Sequence, residues 1–271
     1  MTDGAWHVQR SSEIDLVAPE ALSAHARGVT RAALVGRQVG SVHIGLVLAA
    51  IEPESHIDTH LHSAEESFYV LEGSLRLTID DHTYRLRADD SGLIPLGVPH
   101  AWSTGPGESA RWLEATAPAP RLSGPPDTFF TSEPVRRYEP STFSNLDSAT
   151  PVFPFSGVAL KMLVDGRLGA ALHTMFMIES QPSAVVHPHD HPFEESYYLL
   201  EGEVEATAND ERFVLGPGDV FWTGVGCVHS FLNTSGGPAR WIETQSPQPP
   251  ARHSFRFNRD WDYLAERLDG P

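Results

Sequence analysis

"THLHSAEESFYVLEG" (residues 59–73) and "HPHDHPFEESYYLLEG" (residues 187–202) place two histidines, a pair of glutamates, an apolar run and a glycine in one order. A packed core has no need of such a cluster, because imidazoles and carboxylates are costly to bury unless something holds them together. A metal ion does that. In an extended strand, residues two apart project to one face, so His60 and His62 share a face, as do His189 and His191. Glu66 and Glu195 follow four residues later, an even offset that suits the same face across a short turn.

The likeness extends outward from these stretches. A shift of 129 places His60 on His189, Glu66 on Glu195, Gly73 on Gly202, Asp90 on Asp219 and His100 on His229. Across residues 45–118 and 174–247 the two copies share 22 of 74 positions without an insertion. That is a duplicated, domain-sized unit rather than a solenoid repeat. The division predicted is 1–125 for the first domain and 126–271 for a connector, the second domain and a short C-terminal helix. Trp261, Leu264, Ala265 and Leu268 have the helical spacing, and Asn258 is the candidate N-cap.

Inside each copy the pattern is of short strands and turns. "SLRLTID" and "DHTYRLR" read as a hairpin about Asp80 and Asp81, and the second copy repeats it about Asn209 and Asp210. "SFYVLEG" and "SYYLLEG" are apolar on both faces, so the outer face should be covered by the other copy or by a second subunit. The Pro- and Ser-rich connector carries Phe129, Phe130, Tyr138, Phe143, Phe153 and Phe155, and should pack onto the domains. "PEALSAHARGV" near residue 19 suggests a helical turn. The chain is therefore expected to be all-β.

Composition narrows the function. The 271 residues carry a formal net charge of −17, which disfavours nucleic-acid binding. One cysteine, Cys227, excludes an intrachain disulfide. The start of the chain lacks the order of a signal peptide, and no apolar run is long enough for a membrane-spanning helix, so a cytoplasmic protein is expected.

His100 and His229, each 34 residues beyond the glutamate in its copy, complete two sets: His60, His62, Glu66 and His100; His189, His191, Glu195 and His229. Three imidazoles and one carboxylate suit Mn, Fe, Co, Ni, Cu or Zn, one ion per domain, and are a poor cage for Ca or Mg. On an ion that prefers six ligands, two positions stay open for substrate, water or dioxygen. Histidine ligation predicts metal release as the pH falls through about 6.

The order H-x-H-x3-E-x6-G, then D-x4-P-x-G-x2-H, resembles the two motifs of the cupin superfamily. The first copy supplies Asp90, Pro95, Gly97 and His100; the second has Asp219, Gly226 and His229, with Gly224 in place of the proline. The resemblance implies a bicupin, two tandem jelly-roll-type β-barrels with a metal site in each. The ligand sets are similar to those of quercetinase-like and oxalate-degrading bicupins. The layout also resembles ureidoglycine aminohydrolases, whose ligand pattern differs from the residues here.

The expected activity is that of a metal-dependent enzyme acting on a small organic molecule, with oxygen-dependent dioxygenation leading. The alternatives are non-oxidative hydrolase, isomerase or lyase chemistry, and a binding cupin without turnover. Oxalate chemistry ranks lower because no arginine stands out beside either ligand set. Homo-oligomerisation is left open.

Four residues beside the ligands are candidates for further roles. Glu65 and Glu194 read as solvated turn carboxylates or as general bases. His187 shares strand parity with the ligands and could support metal or substrate. Tyr197 could offer its hydroxyl to a substrate. Phe68, Val70, Leu199, Trp102 and Phe231 read as barrel wall, Cys227 as small buried filler, and His56 and His82 as surface residues.

Overall fold

The computed structural model describes residues 5–79, 81–121, 127–131, 143–145, 152–155, 157–248 and 256–257. The expected C-terminal helix lies outside the described residues. Among the described residues, ten strands precede residue 150: β1 (Trp6–Gln9), β2 (Ala26–Val35), β3 (Gly45–His62), β4 (Glu65–Ile79), β5 (His82–Arg87), β6 (Asp90–Ile94), β7 (His100–Ser103), β8 (Ala110–Ala117), β9 (Thr128–Phe130) and β10 (Phe143–Asn145). Eleven follow: β11 (Val152–Phe155), β12 (Val158–Val164), β13 (Thr174–Ser180), β14 (Val185–Asp190), β15 (Glu194–Glu201), β16 (Val204–Ala208), β17 (Glu211–Leu215), β18 (Val220–Thr223), β19 (His229–Asn233), β20 (Ala239–Ser246) and β21 (Arg256–Phe257). A single 3₁₀ turn, Glu20–Leu22, stands where the helical turn was expected. Among the described residues no helix is long and apolar enough to cross a membrane.

The strands close into two barrels of jelly-roll type. In the second barrel, a sheet ordered β1-β18-β15-β20-β13-β12-β11 faces one ordered β17-β16-β19-β14-β21. In the first barrel, β3 and β4 are long enough to run through both faces, so its nine strands form one continuous sheet. Both predicted hairpins are present, β4 pairing with β5 and β16 with β17.

Alternation along the strands sorts the apolar side chains into three cores. Phe68, Val70, Leu75, Leu77, Trp102 and Trp112 fill the first barrel. Tyr197, Leu199, Val204, Ala206, Phe231 and Trp241 line the second. The residues between them, Tyr69 and Tyr198, point the other way and join Leu46, Leu48, Leu113, Met175, Trp222 and Ile242 in a core between the barrels. This explains why both motif strands are apolar on both faces: one face lines a barrel and the other is covered by the second copy. Each of these large side chains contributes about 1.5–3 kcal/mol through burial.

The two copies also exchange strands. β1, from the start of the chain, pairs with β18 of the second barrel. β10, from the connector, pairs with β6 of the first. β9, just past residue 125, returns along β3 and pairs Phe130 with His60 and Thr128 with His62. Each barrel is thus completed by residues from across the 125/126 division, and the described parts of the connector pair as strands. Arg10 fixes the first crossing by donating to Asp219 at 2.8 Å.

The glycine that ends each motif strand has a steric cause. Gly73 and Gly202 both have φ +79, and a Cβ on either would collide with the strand that starts at Ala110 or Ala239. Only glycine adopts that backbone at such close approach without strain.

Candidate metal centres

Each ligand set is assembled from three strands. β3 brings His60 and His62, β7 brings His100, and the start of β4 brings Glu66. The second set uses β14 and the residue after it for His189 and His191, β19 for His229 and β15 for Glu195. His60 lies opposite His100 and His189 opposite His229 in the ladders.

The ligand atoms of His60, His62 and His100 lie within 4.8 Å of one another, as do those of His189, His191 and His229. The ring centroids are 4.9, 4.3 and 5.3 Å apart in the first triad and 4.8, 4.3 and 5.3 Å apart in the second. The duplication has therefore kept one constellation twice.

Backbone carbonyls fix the tautomers. His60 Nδ1 donates to the Asp58 carbonyl at 2.7 Å and His100 Nδ1 to that of Val98 at 3.0 Å. His189 does the same to His187 at 2.7 Å, and His229 to Cys227 at 3.0 Å. His62 Nδ1 bonds Thr128 Oγ1 at 2.9 Å. The four carbonyl bonds leave Nε2 of His60, His100, His189 and His229 for the centre, the usual arrangement of a metal-binding imidazole.

The residues fit a divalent metal. Glu66 Oε1 and His100 Nε2 are buried without a hydrogen-bond partner, a costly state that an ion between them relieves. Glu66 Oε2 already lies 3.0 Å from His62 Nε2. Burial, then the charges of the neighbouring rings, lowers His60 to about 2 and holds His189 near 3. Burial lowers His100 to about 4 despite the Glu66 carboxylate. Burial raises Glu66, but the His62 bond and charge outweigh it and hold the carboxyl at about 2. Neutral imidazoles and an ionised carboxylate are the forms that bind metal. Proton competition from these three rings consequently begins well below the pH of about 6 that unperturbed histidines imply.

The carboxylates differ in their support. Glu195 Oε1 accepts from Gln245 Nε2 at 2.7 Å, and its Oε2 accepts from the Tyr197 hydroxyl at 2.5 Å. The Tyr197 oxygen is also 3.0 Å from His229 Nε2. The first barrel has Phe68 and Thr116 at the matching positions, which is why Glu66 Oε1 stays unpaired. Tyr197 thus orients the ligand carboxylate instead of standing free for a substrate.

Glu65 and Glu194 are neither solvated turn carboxylates nor bases beside the imidazoles. One residue before the ligand glutamate, each points to the opposite strand face, which is the face between the barrels. Glu65 accepts from the backbone N–H groups of Ala171 and Leu172, both at 2.8 Å, and from His173 Nδ1 at 3.2 Å. Glu194 accepts from Ser41 Oγ at 2.5 Å and from the N–H groups of Val42 and His43 at 3.1 and 3.2 Å. Two buried carboxylates thereby clasp the domains in near-symmetric fashion. Burial raises Glu65, while the bonds from His173, Ala171 and Leu172 together bring it below its ordinary value.

His187 is exposed and does not share the ligand face, because the β14–β19 register shifts between Val186 and His189. It acts through its carbonyl on His189. Cys227 is buried filler, and His56 and His82 are exposed beside Asp58 and Asp81.

Two residues near the centres escaped the sequence reading. Arg31 on β2 forms an ion pair with Glu114 in the first barrel, and its charge acts on Glu66 and His100. An arginine does therefore flank one ligand set; it was missed because β2 precedes both motifs. In the second barrel Glu243, matching Glu114, is 7% exposed and faces a cavity of about 580 Å³. Burial and then the Glu195 charge push its carboxyl well above the ordinary range. The cavity reaches His189, His191 and His229 and is otherwise walled by residues such as Leu160, Met162, Phe176, Ile178 and Phe231.

Two all-β barrels, each holding three convergent imidazoles and a carboxylate, define a duplicated metal-binding β-barrel protein. The model of the cupin domain matches residues 47–116 and 176–244, and the chain belongs to that family as a bicupin. Over 99 residues it is 36% identical to the polyketide synthase CurC of Streptomyces cyaneus, covering 35% of this chain and 64% of that protein. Over 118 residues it is 30% identical to the HTH-type transcriptional regulator PuuR of Escherichia coli, covering 44% of this chain and 63% of that protein. It therefore spans less than two thirds of either curated relative.

Solved structures align over nearly the whole chain. The oxalate decarboxylase of Lactobacillus farciminis in complex with formate has a TM-score of 0.72 at 16% identity, over 97% of this chain and 94% of its own. A putative glyoxylate-induced protein of Pseudomonas aeruginosa gives 0.70 at 17%, over 92% and 90%. The Bacillus subtilis oxalate decarboxylase, described for its Mn(II) centres, gives 0.70 at 14%, over 100% and 85%. At these identities the likeness speaks to the fold.

Proposed function

We propose that this bicupin is a metal-dependent enzyme whose second barrel is the reaction centre for a small, largely apolar organic molecule, and that the reaction is an oxygen-dependent dioxygenation. The observation that carries the reading is the cavity: about 580 Å³ of mostly apolar wall opening onto the His189, His191 and His229 triad. That volume lies in the range of small-molecule sites.

His189, His191, His229 and Glu195 would hold the ion. When bound, a redox-active divalent metal supplies Lewis acidity and an electron path between substrate and dioxygen, whose two atoms both end in the product. The chain's own groups do the rest. Tyr197 and Gln245 keep both Glu195 oxygens aligned, the Cys227 and His187 carbonyls hold two imidazoles in one tautomer, and the apolar wall excludes water. In the first barrel Arg31 and Glu114 pair beside the triad, which suits a supporting metal site.

Non-oxidative lyase chemistry is the second reading, favoured by the shared architecture with oxalate decarboxylases and by the cation at Arg31. The deciding experiment is oxygen uptake by metal-reconstituted protein against a panel of small aromatic and aliphatic substrates, with His191→Ala as control. Substrate consumption without oxygen uptake would transfer the assignment to the lyase reading. Absence of turnover in fully metallated protein would leave a binding protein.

A further inference from the structure

The two barrels differ at one matched pair of positions. Arg31 lies opposite Ala49 and Leu160 opposite Ile178 in their ladders, and Ala49 and Ile178 lie opposite Trp112 and Trp241. Arg31 and Leu160 are therefore equivalent, as are Glu114 and Glu243. Each glutamate accepts from the indole of its tryptophan, at 2.9 Å in the first barrel and 3.1 Å in the second. In the first barrel the carboxylate meets the Arg31 guanidinium. In the second the arginine is replaced by leucine while the acid is kept. Among the described residues, no arginine or lysine lines that cavity.

We propose that the cavity of the second barrel takes a small ligand with a compact apolar body and a cationic nitrogen, which pairs with Glu243 as Arg31 pairs with Glu114. The argument is one of charge and volume. The chain gives the buried Glu114 a cation from its own strand, and the equivalent place beside Glu243 holds none. Leu160 vacates that volume and leaves an apolar wall of Met162, Phe176, Ile178 and Phe231 for the ligand's body. Gln245 Nε2 is 3.2 Å from Glu243 Oε1 and 2.7 Å from Glu195 Oε1, so the acid is fixed beside the metal ligands. A bound cation would stand next to the reacting centre. The inference deepens the reading of the second barrel as the substrate site and rests on it only for location.

The test is calorimetric titration of the full-length protein with benzylamine, benzyl alcohol and benzoate, with and without manganese. Benzylamine is expected to bind once per chain, with or without metal, and more tightly than the other two. Glu243→Gln should weaken it about thirtyfold or more, as expected when one partner of a desolvated charge pair is neutralised. Leu160→Arg should abolish binding, and Arg31→Leu should create a second site in the first barrel. Equal or tighter binding of benzyl alcohol or benzoate would overturn the proposal. So would metal-dependent binding at both barrels, which marks amine ligation to the ion, or absence of benzylamine binding at millimolar concentration. If Glu243→Gln fails to fold, the gain of a site in Arg31→Leu still decides. The readout is binding, so failure of the dioxygenase reading leaves it intact, and oxygen uptake with neutral substrates alone would remove only this inference.

Discussion

His100→Gln in metal-free protein tests the electrostatic account of the centre directly. The folded His100 takes up its proton only near pH 4, because burial disfavours its charged form. The unfolded imidazole does so near its ordinary 6.5. Between those values the unfolded state binds the extra proton, so this residue's share of stability is fully present above about pH 6.5 and is lost as the pH falls toward 4. Integrating between pH 7 and pH 5 gives a loss of roughly 2 kcal/mol, since each pH unit inside the window is worth about 1.4 kcal/mol. Glutamine keeps the polar volume but cannot titrate. The assay is urea denaturation of both proteins in chelator at pH 7 and pH 5, and the quantity read is the change in their stability difference. The other acids and bases are common to both and largely cancel. A difference that stays within about 0.5 kcal/mol across that interval would mean that His100 is not held neutral by the barrel, and the account of the first centre would fall with it.

Tyr197→Phe removes the hydroxyl on Glu195 Oε2 and should weaken metal binding at the second barrel by about 10–100-fold, read by chelator competition, while the first site is unchanged. His191→Ala should reduce bound metal from two ions per chain to one by elemental analysis. Glu65→Ala strands two backbone N–H groups and His173 at the domain interface; a loss of about 3–5 kcal/mol is expected by denaturation, with metal content preserved in the folded fraction. Metal removal by chelator should abolish turnover, and reconstitution should restore it.

The sequence by itself laid out the duplication, the strand hairpins and the two candidate ligand sets, because each rests on residue spacing along the chain. The period of two along a strand puts His60 beside His62, and a fixed shift of 129 repeats it. It also signalled that the motif strands are covered on both faces. Only the tertiary structure decided what covers them, since Tyr69 and Tyr198 meet in a core made of both halves of the chain. It moved Glu65 and Glu194 from solvent or the centre, the two readings the sequence allowed, to the domain clasp, because an odd offset from the ligand turns a side chain to the other face and nothing local reveals what lies there. It displaced His187 through a register shift that strand parity cannot foresee. The contrast between Arg31 and Leu160 was equally hidden, for their strands lie outside both motifs and reach Glu114 and Glu243 only after the barrels close. Spacing along one strand is fixed by backbone geometry, whereas partners across barrels are chosen by packing, and packing belongs to the whole chain.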